Sequence, residues 1–184
     1  MCIIKISTDI SLKEVVLNDA TAIWQAIDNH RDYLRTWLPF VDRLSKMEDE
    51  ADFLRSVLEV PYQERNLTFL IEVKGKLAGL IGFTVTDLLN HRTEIGYWLL
   101  PEYQKQGIMT ACVKQLCRWA ADQRAMNRIQ IKCAEENLPS NAIPLRLGFQ
   151  LEGTEREGEL LVSGHYADIN VYSILKKEIL TWKE

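Results

Sequence analysis

The most informative segment of the chain reads Glu94-Ile-Gly-Tyr-Trp-Leu-Leu-Pro-Glu-Tyr-Gln-Lys-Gln-Gly107-Ile-Met-Thr110. Residues 93–100 predict a β-strand, and apolar residues recur at helical spacing over residues 107–123, which predicts an amphipathic helix. A helix start has unpaired backbone N–H groups and a partial positive charge. The strand–loop–helix unit therefore favours a cradle for a phosphate or pyrophosphate, with Gly107 allowing close approach of the backbone. An ordinary connecting loop is the alternative.

Two better-known phosphate-binding motifs are excluded. The chain has no Gly-Lys-Ser/Thr of a P-loop, and the loop lacks the glycine triplet of a dinucleotide-binding fingerprint. The loop alone thus leaves the ligand open.

The remaining chain predicts an α+β domain over residues 1–184. Periodicity and turn residues indicate seven strands and four helices in the order β-α-α-β-β-β-α-β-α-β-β. The second helix is predicted to begin at Ser45 with Glu48 completing a capping box. The strands are predicted at residues 10–17, 68–73, 77–86, 93–100, 128–133, 149–155 and 168–175. We expect a mixed, mostly antiparallel sheet with helices on both faces, in which residues 93–100 and 128–133 run parallel.

Composition and charge exclude several classes of partner. The 184 residues carry 22 Lys and Arg against 26 Asp and Glu, a net charge of −4, and no basic run suggests nucleic acid. The longest stretch without a charge, residues 77–86, is too short to span a membrane, and no signal peptide is recognisable. The four cysteines lack metal-site spacing. We expect a cytoplasmic protein without a metal or a membrane partner.

The motifs also resemble a known family when they are taken in order. Gln104-Lys-Gln-Gly107-Ile-Met109 is similar to the Q/R-x-x-G-x-G/A signature of the GNAT N-acetyltransferases. Other segments resemble the RimJ/RimL branch, which acetylates ribosomal proteins: Glu94-x-Gly-Tyr-Trp-Leu, Trp37-Leu-Pro-Phe40, Glu136-Asn137-x-x-Ser140, Leu147-Gly-Phe149, Glu152-Gly153 and Tyr166-x-Asp168. The resemblance covers about residues 10–176. Met109 stands where the signature has Gly or Ala, and Lys105 where the branch usually has Gly.

The resemblance implies acetyl-CoA as co-substrate, bound where the two parallel strands splay apart. These strands are the fourth and fifth of the family's sheet and correspond here to residues 93–100 and 128–133. The pantetheine arm would pair with the backbone of Trp98, Leu99 and Leu100. Asn137 would contact the cofactor or the substrate, or serve as a turn residue. The pyrophosphate would rest on the N–H groups of Gln104, Lys105, Gln106, Gly107, Ile108, Met109 and Thr110.

Two catalytic tasks need candidates. Glu94 could take the proton from the attacking amine, with His91 and Glu102 as further candidates. Glu94 could instead be a structural carboxylate paired with a neighbouring Arg or a backbone N–H, with a water chain serving as base. Many family members place a Tyr after their fifth strand to stabilise the departing thiolate. This chain has none between Tyr103 and Tyr166, and Ser140 is the substitute by resemblance, or else a helix cap. The acceptor side would include Trp37, Phe40, His165 and Tyr166, although Trp37 and Phe40 could instead serve in simple hydrophobic packing.

Three functions remain open from the sequence. The first is acetylation of the N-terminal α-amine of a ribosomal protein by an enzyme that forms a homodimer, as the branch often does. The second is acetylation of a small amine such as a polyamine, an aminoglycoside or an amino-acid derivative. The third is a non-catalytic CoA-sensing domain, suggested by Met109, Lys105 and the missing Tyr.

Overall fold

The computed structural model describes residues 2–182, which form an eight-stranded sheet in the order β1-β2-β3-β4-β5-β6-β8-β7. Neighbouring strands are antiparallel except for the parallel β5–β6 pair, so the predicted mixed sheet is confirmed. The additional strand is β1, whose three residues are too few to show periodicity. The strands are β1 (Ile3–Lys5), β2 (Ile10–Glu14), β3 (Thr68–Val73), β4 (Lys76–Asp87), β5 (Arg92–Leu99), β6 (Arg128–Ala134), β7 (Gln150–Leu160) and β8 (Tyr166–Leu175).

Helices cover both faces of the sheet, as the sequence predicts. On one face α4 packs over Ile95 and Leu99 of β5, and on the other α1 and α3 pack over Trp98. Successive residues of a strand point to opposite faces, so β5 contributes to both cores. The helices are α1 (Ala20–Asn29), α2 (Arg31–Leu34), α3 (Met47–Glu59), α4 (Ile108–Gln123), α5 (Leu138–Arg146) and α6 (Lys176–Ile179).

Helix α4 buries the apolar face that its sequence predicts. Trp119 stacks on Phe83 and meets Phe69 edge to face, so that it packs, partly buried, against the core. Cys112 and Cys117 lie on the same buried face. Burial raises the pKa of the Cys112 thiol to about 12 and that of Cys117 further still. Both cysteines therefore remain protonated and unreactive near neutral pH.

The predicted start of α3 needs a correction. The side chain that caps this helix is Asp49, not Glu48: its carboxylate accepts hydrogen bonds from the backbone N–H of Ser45 at 2.8 Å and of Lys46 at 3.0 Å. The helix begins at Met47, so the third helical position, which a capping box requires, falls on Asp49.

Helix α3 also buries a carboxyl group, and burial favours the neutral form of that group. Glu50 is 3% exposed, and its Oε1 has no hydrogen-bond partner among residues 2–182. Burial raises its pKa from 4.5 to about 7. The folded state thus binds a proton more tightly than the unfolded chain, so stability is highest below the unfolded pKa and falls as pH rises towards the folded pKa.

We expect Glu50→Gln to stabilise the protein in a pH-dependent way. Near pH 8 the gain in free energy of unfolding should approach about 3 kcal/mol, and most of it should vanish near pH 5. Urea unfolding of wild type and variant at the two pH values measures this difference. Glu48→Gln, at an exposed position of the same helix, is the matched control and should show little pH dependence. An equal effect of Glu50→Gln at both pH values would refute a buried neutral carboxyl.

Candidate active site

The parallel strands β5 and β6 separate after a short common ladder. Their pairing is limited to Arg92 with Arg128, Thr93 with Ile129 and Glu94 with Gln130. Past this point β5 stays paired to β4 and β6 stays paired to β8. A cavity of about 290 Å³ opens at the far end of β5, between the start of α4 and helix α5.

Many of the predicted residues line this cavity. They are Trp37, Trp98, Leu99, Gln104, Lys105, Gly107, Ile108, Met109, Thr110, Asn137 and Ser140. The lining also includes residues that the sequence reasoning missed: Tyr33, Leu34, Leu38, Tyr97, Tyr103, Pro139, Ile143 and Arg146. Tyr97 lies inside the segment 94–110 that predicts the cradle, and its place in an alternating strand next to Trp98 was the available signal.

The loop before α4 has the form of an anion cradle. Gly107 is the N-cap of α4 with a φ of 75°, and a Cβ built there would meet nothing within 4 Å. The N–H groups of Ile108, Met109 and Thr110 find no acceptor among residues 2–182. Lys105, also at positive φ, brings a cation to the cavity wall. These donors and charges fit a pyrophosphate.

Met109 fits the cradle even though the family signature has a smaller residue. Its side chain is only 6% exposed and belongs to the core under α4. The residue can therefore bury its side chain in the core while its backbone N–H remains in the loop.

The exposed edge of β5 presents the backbone of one of the three predicted strand residues. The N–H of Leu100 donates to the carbonyl of Ala78 at 2.8 Å, so Leu100 faces β4. Because backbone groups alternate in direction along a strand, Trp98 also faces β4 and Leu99 faces the opening. Leu99 is thus the residue whose backbone can pair with an added strand, and Leu100 does not line the cavity.

Two glutamines connect the loop to its surroundings. The Gln104 side chain hydrogen-bonds the Tyr33 hydroxyl, which joins the loop to the segment after α1. The Gln106 side chain donates to the carbonyl of Glu102 at 2.8 Å and lies outside the cavity lining. Because both glutamine side chains are engaged in these contacts, the hydrogen-bond donors of the cradle are backbone N–H groups.

Helix α5 places a serine hydroxyl in the cavity. The helix begins at Leu138, and its N-cap is Asn137, whose Oδ1 accepts from the backbone N–H of Ser140 at 3.3 Å. Ser140 is therefore not the cap. Its hydroxyl lies 3.1 Å from Cys133 Sγ and 3.3 Å from the Tyr97 hydroxyl.

Glu94 lies at the root of the wedge rather than in the cavity lining. Its carboxylate accepts hydrogen bonds from the Thr84 hydroxyl at 2.9 Å and from the Gln130 side-chain amide at 3.0 Å. Both donors are neutral, so neither bond is the arginine or backbone pairing expected of a structural carboxylate. A role as base would require water between Glu94 and the acceptor.

We expect Glu94→Gln to slow acetyl transfer mainly at low pH, if Glu94 is the base. Near pH 6 an α-amine is largely protonated, and loss of the base should cost at least about tenfold. Near pH 9 the free amine predominates and the rates should converge. Initial rates across this range test the expectation. Glu72→Gln, a sheet carboxylate 3.5 Å from the Ser11 hydroxyl, is the control. A profile parallel to wild type would assign proton removal to water.

The four predicted acceptor-side residues lie in different places. Trp37 lines the cavity and packs against the ends of β6 and β8. Phe40 is 40% exposed in the turn Pro39–Arg43, and Tyr166 is 54% exposed at the start of β8. His165 Nε2 lies 3.7 Å from a Glu136 carboxylate oxygen on the surface. The structure thus brings Trp37 to the cavity and leaves the other three outside it.

The fold and the site together define an acyltransferase that binds a CoA thioester: parallel strands diverge beside a helix start that offers backbone donors. Comparison with known proteins gives the family. The family model described as acetyltransferase (GNAT) domain matches residues 9–150. The ribosomal-protein-serine acetyltransferase of Escherichia coli is 31% identical over 170 residues, which cover 92% of this chain and 94% of that protein.

Two solved structures extend the comparison. RimL, the ribosomal L7/L12 alpha-N-protein acetyltransferase, in complex with coenzyme A has a TM-score of 0.91 at 28% identity, covering 95% of this chain and 98% of its own. Microcin C7 self immunity acetyltransferase MccE, in complex with acetyl-CoA and AMP, has a TM-score of 0.87 at 30% identity, covering 93% and 94%. The chain belongs to the GNAT family of acetyltransferases, with acetyl-CoA as its co-substrate. It is an enzyme, which overturns the non-catalytic alternative.

The helices of the fold are short or polar relative to a membrane span. Within residues 2–182, none is both long and apolar enough to cross a membrane.

Proposed function

We propose that this enzyme acetylates the N-terminal α-amine of a ribosomal protein. In the reaction a C–N bond forms at the acetyl carbonyl, the C–S bond breaks with its electron pair on sulfur, and the amine loses one proton. The products are an N-acetylated chain and CoA. Support comes from the relatives, of which RimL and the E. coli ribosomal-protein-serine acetyltransferase are described as acting on ribosomal proteins.

Some residues of the cavity would bind acetyl-CoA, and Ser140 would take part in the chemistry. When bound, acetyl-CoA supplies an activated acetyl thioester. The N–H groups of residues 107–110 would hold its pyrophosphate, aided by the Lys105 ammonium, and the Leu99 backbone would pair with its pantetheine arm. Asn137 caps α5 through Oδ1 and so fixes Ser140 at the cavity wall. The Ser140 hydroxyl would donate to the sulfur as negative charge develops there.

The charge of the cavity favours an α-amine over a polyamine as the acceptor. Among the described residues, its lining includes no carboxylate, and its charged members are the cations Lys105 and Arg146. A polyamine remains multiply charged near neutral pH and would need carboxylates to bind. An α-amine with a pKa near 8 is partly neutral and needs none. The aromatic wall of Tyr33 and Trp37 suits an extended peptide.

A second candidate is a small molecule that carries an α-amine. The observation in its favour is the similarity to MccE, whose structure contains AMP beside acetyl-CoA. An aminoacyl nucleotide would present the same α-amine to the cavity as a peptide N-terminus does. The two candidates thus share the chemistry and differ in the group attached to the carbonyl of the acetylated residue.

We also propose that residues 1–184 act as one domain, that the enzyme is cytoplasmic, and that it forms a homodimer without nucleic-acid or membrane partners. Ribosomal proteins are cytoplasmic substrates, and the net charge of −4 gives no electrostatic reason to bind nucleic acid.

The test is acetyl transfer followed by mass spectrometry on a mixed acceptor panel. The panel contains peptides with free N-termini, the same peptides N-blocked but with an internal Lys, polyamines, aminoglycosides and an aminoacyl nucleotide. Transfer to free N-termini but not to blocked peptides is the expected result. Transfer only to small amines would move the enzyme to the second candidate, and transfer only to Lys side chains would contradict both.

A further inference from the structure

Two hydroxyl groups from distant parts of the chain meet at the cavity. Tyr97 on β5 and Ser140 on α5 are 43 residues apart in sequence, and their hydroxyl oxygens lie 3.3 Å apart. Both residues line the cavity beside Leu99. Many family members place a tyrosine after the fifth strand of their sheet, and this chain has none between Tyr103 and Tyr166. A different tyrosine, Tyr97 on β5, contacts Ser140 instead.

Tyr97 and Ser140 each donate a hydrogen bond to the other. The Tyr97 hydroxyl donates to the Ser140 backbone carbonyl at 3.3 Å, and the Ser140 hydroxyl donates to the Tyr97 oxygen. Cys133 Sγ lies 3.1 Å from the Ser140 oxygen. A serine hydroxyl has one proton, so it cannot donate to Tyr97 and to a ligand in the cavity at the same time.

This constraint has a structural solution. When the Ser140 proton turns towards the cavity, the lone pairs of its oxygen become available to Tyr97. The Tyr97 hydroxyl can then rotate its O–H bond from the Ser140 backbone carbonyl to the Ser140 hydroxyl oxygen. This change of acceptor needs little movement of either side chain. A hydroxyl that accepts one hydrogen bond becomes a better donor in the next, because bonds in a chain polarise one another.

We propose that Tyr97 is a positioning residue that donates to Ser140 while Ser140 donates to the sulfur of CoA. The inference deepens the proposed function and rests on it for the place of the sulfur. The electron pair from the broken C–S bond stays on sulfur, and both protons stay on their oxygens. The pair of hydroxyls stabilises the charge by hydrogen bonding alone.

Burial keeps this chain of hydroxyls neutral. It raises the pKa of Tyr97 well above its ordinary value and also raises the pKa of the Cys133 thiol. Tyr97 therefore keeps its proton over the whole working range of pH. Cys133 stays a neutral thiol and adds no negative charge beside the developing thiolate.

The pKa of bound CoA tests the proposal without any acceptor amine. A free thiol has a pKa near 8.5, and hydrogen bonds to the thiolate should lower it in the complex. We would titrate bound CoA by the ultraviolet absorbance of its thiolate, as a difference from the CoA-free protein. The set comprises wild type, Tyr97→Phe, Ser140→Ala and the double variant. Thermal unfolding of each gives its stability.

The expected result is a rise of roughly half to one pKa unit in Tyr97→Phe, with CoA affinity changed by no more than about twofold. Ser140→Ala should raise it at least as much, and Tyr97→Phe should add nothing in that background. The control is Tyr172→Phe, which removes another buried hydroxyl bonded to α5, at 2.9 Å from Asn141, and should lower stability alone.

An unchanged pKa of bound CoA in a folded Tyr97→Phe protein would overturn the proposal, as would additive effects of the two substitutions. If Tyr97→Phe does not fold, fluorotyrosine labelling makes the hydroxyl more acidic without removing it. The bound thiol pKa should then fall, and no change would overturn the proposal. Failure of the acceptor panel leaves this titration unaffected, whereas a wild-type protein that binds no CoA would overturn the proposed function.

Discussion

Replacing Gly107 with glutamate should weaken CoA binding at least a hundredfold. Gly107 has a φ of 75°, where any side chain adds strain of about 1 kcal/mol. The larger effect is electrostatic, since the new carboxylate would lie at the N–H groups that receive the pyrophosphate. Two like charges about 4 Å apart repel by about 4 kcal/mol at a protein surface, roughly a thousandfold in affinity. Isothermal titration calorimetry with CoA measures the loss.

The chain offers a matched control for this substitution. Gly75 has a φ of 73° in the β3–β4 turn, and no atom lies within 4 Å of where its Cβ would be. Gly75→Glu therefore imposes similar backbone strain and the same charge away from the cavity. It should leave CoA affinity unchanged. If Gly107→Glu folds and binds CoA as wild type does, the cradle is wrongly assigned.

Replacing Ser140 with alanine should lower kcat about a hundredfold while the dissociation constant of acetyl-CoA changes by less than about threefold. A donor that bonds the developing charge acts in the transition state and contributes little to binding the ground state. The backbone N–H of Ser140 still reaches the Asn137 cap, so α5 should persist in the variant. Steady-state kinetics with the best acceptor from the panel, together with calorimetry, separate the two quantities.

A buried serine away from the cavity supplies the comparison. Ser173 on β8 donates to Glu152 at 2.7 Å and is also buried. Ser173→Ala should lower stability and leave kcat unchanged. Equal kcat values for wild type and Ser140→Ala would reduce Ser140 to a packing residue of α5.

Local features of the site were predictable from the sequence because each depends on neighbouring residues. The cradle at residues 104–110 follows from a strand, a glycine and an amphipathic helix in succession. Asn137 three residues before Ser140 could also have been recognised as an N-cap, since a side-chain oxygen at that spacing reaches the third helical N–H. In the sequence-based interpretation, Asn137 is instead a cofactor or substrate contact or a turn residue, and Ser140 is the alternative cap.

Long-range features were not predictable in the same way. Tyr97 and Ser140 meet because β5 and β6 diverge and α5 folds back over the gap, which no local pattern encodes. Strand β7 extends to Leu160, beyond the predicted residue 155. All eleven of its positions are exposed, so no alternation between buried and exposed residues marks where the strand ends. His165 follows that strand and was placed near the acceptor on sequence order alone.

Acetylation of ribosomal proteins themselves is the decisive experiment for the proposed function. Ribosomal proteins from cells that lack this enzyme would be incubated with acetyl-CoA and either wild type or Gly107→Glu. Tandem mass spectrometry of the N-terminal peptides would then locate the acetyl groups. The expected result is acetylation of the N-terminus of one ribosomal protein by wild type and none by the variant. Unmodified N-termini, from an enzyme that acetylates a small amine in the same buffer, would contradict the proposed function.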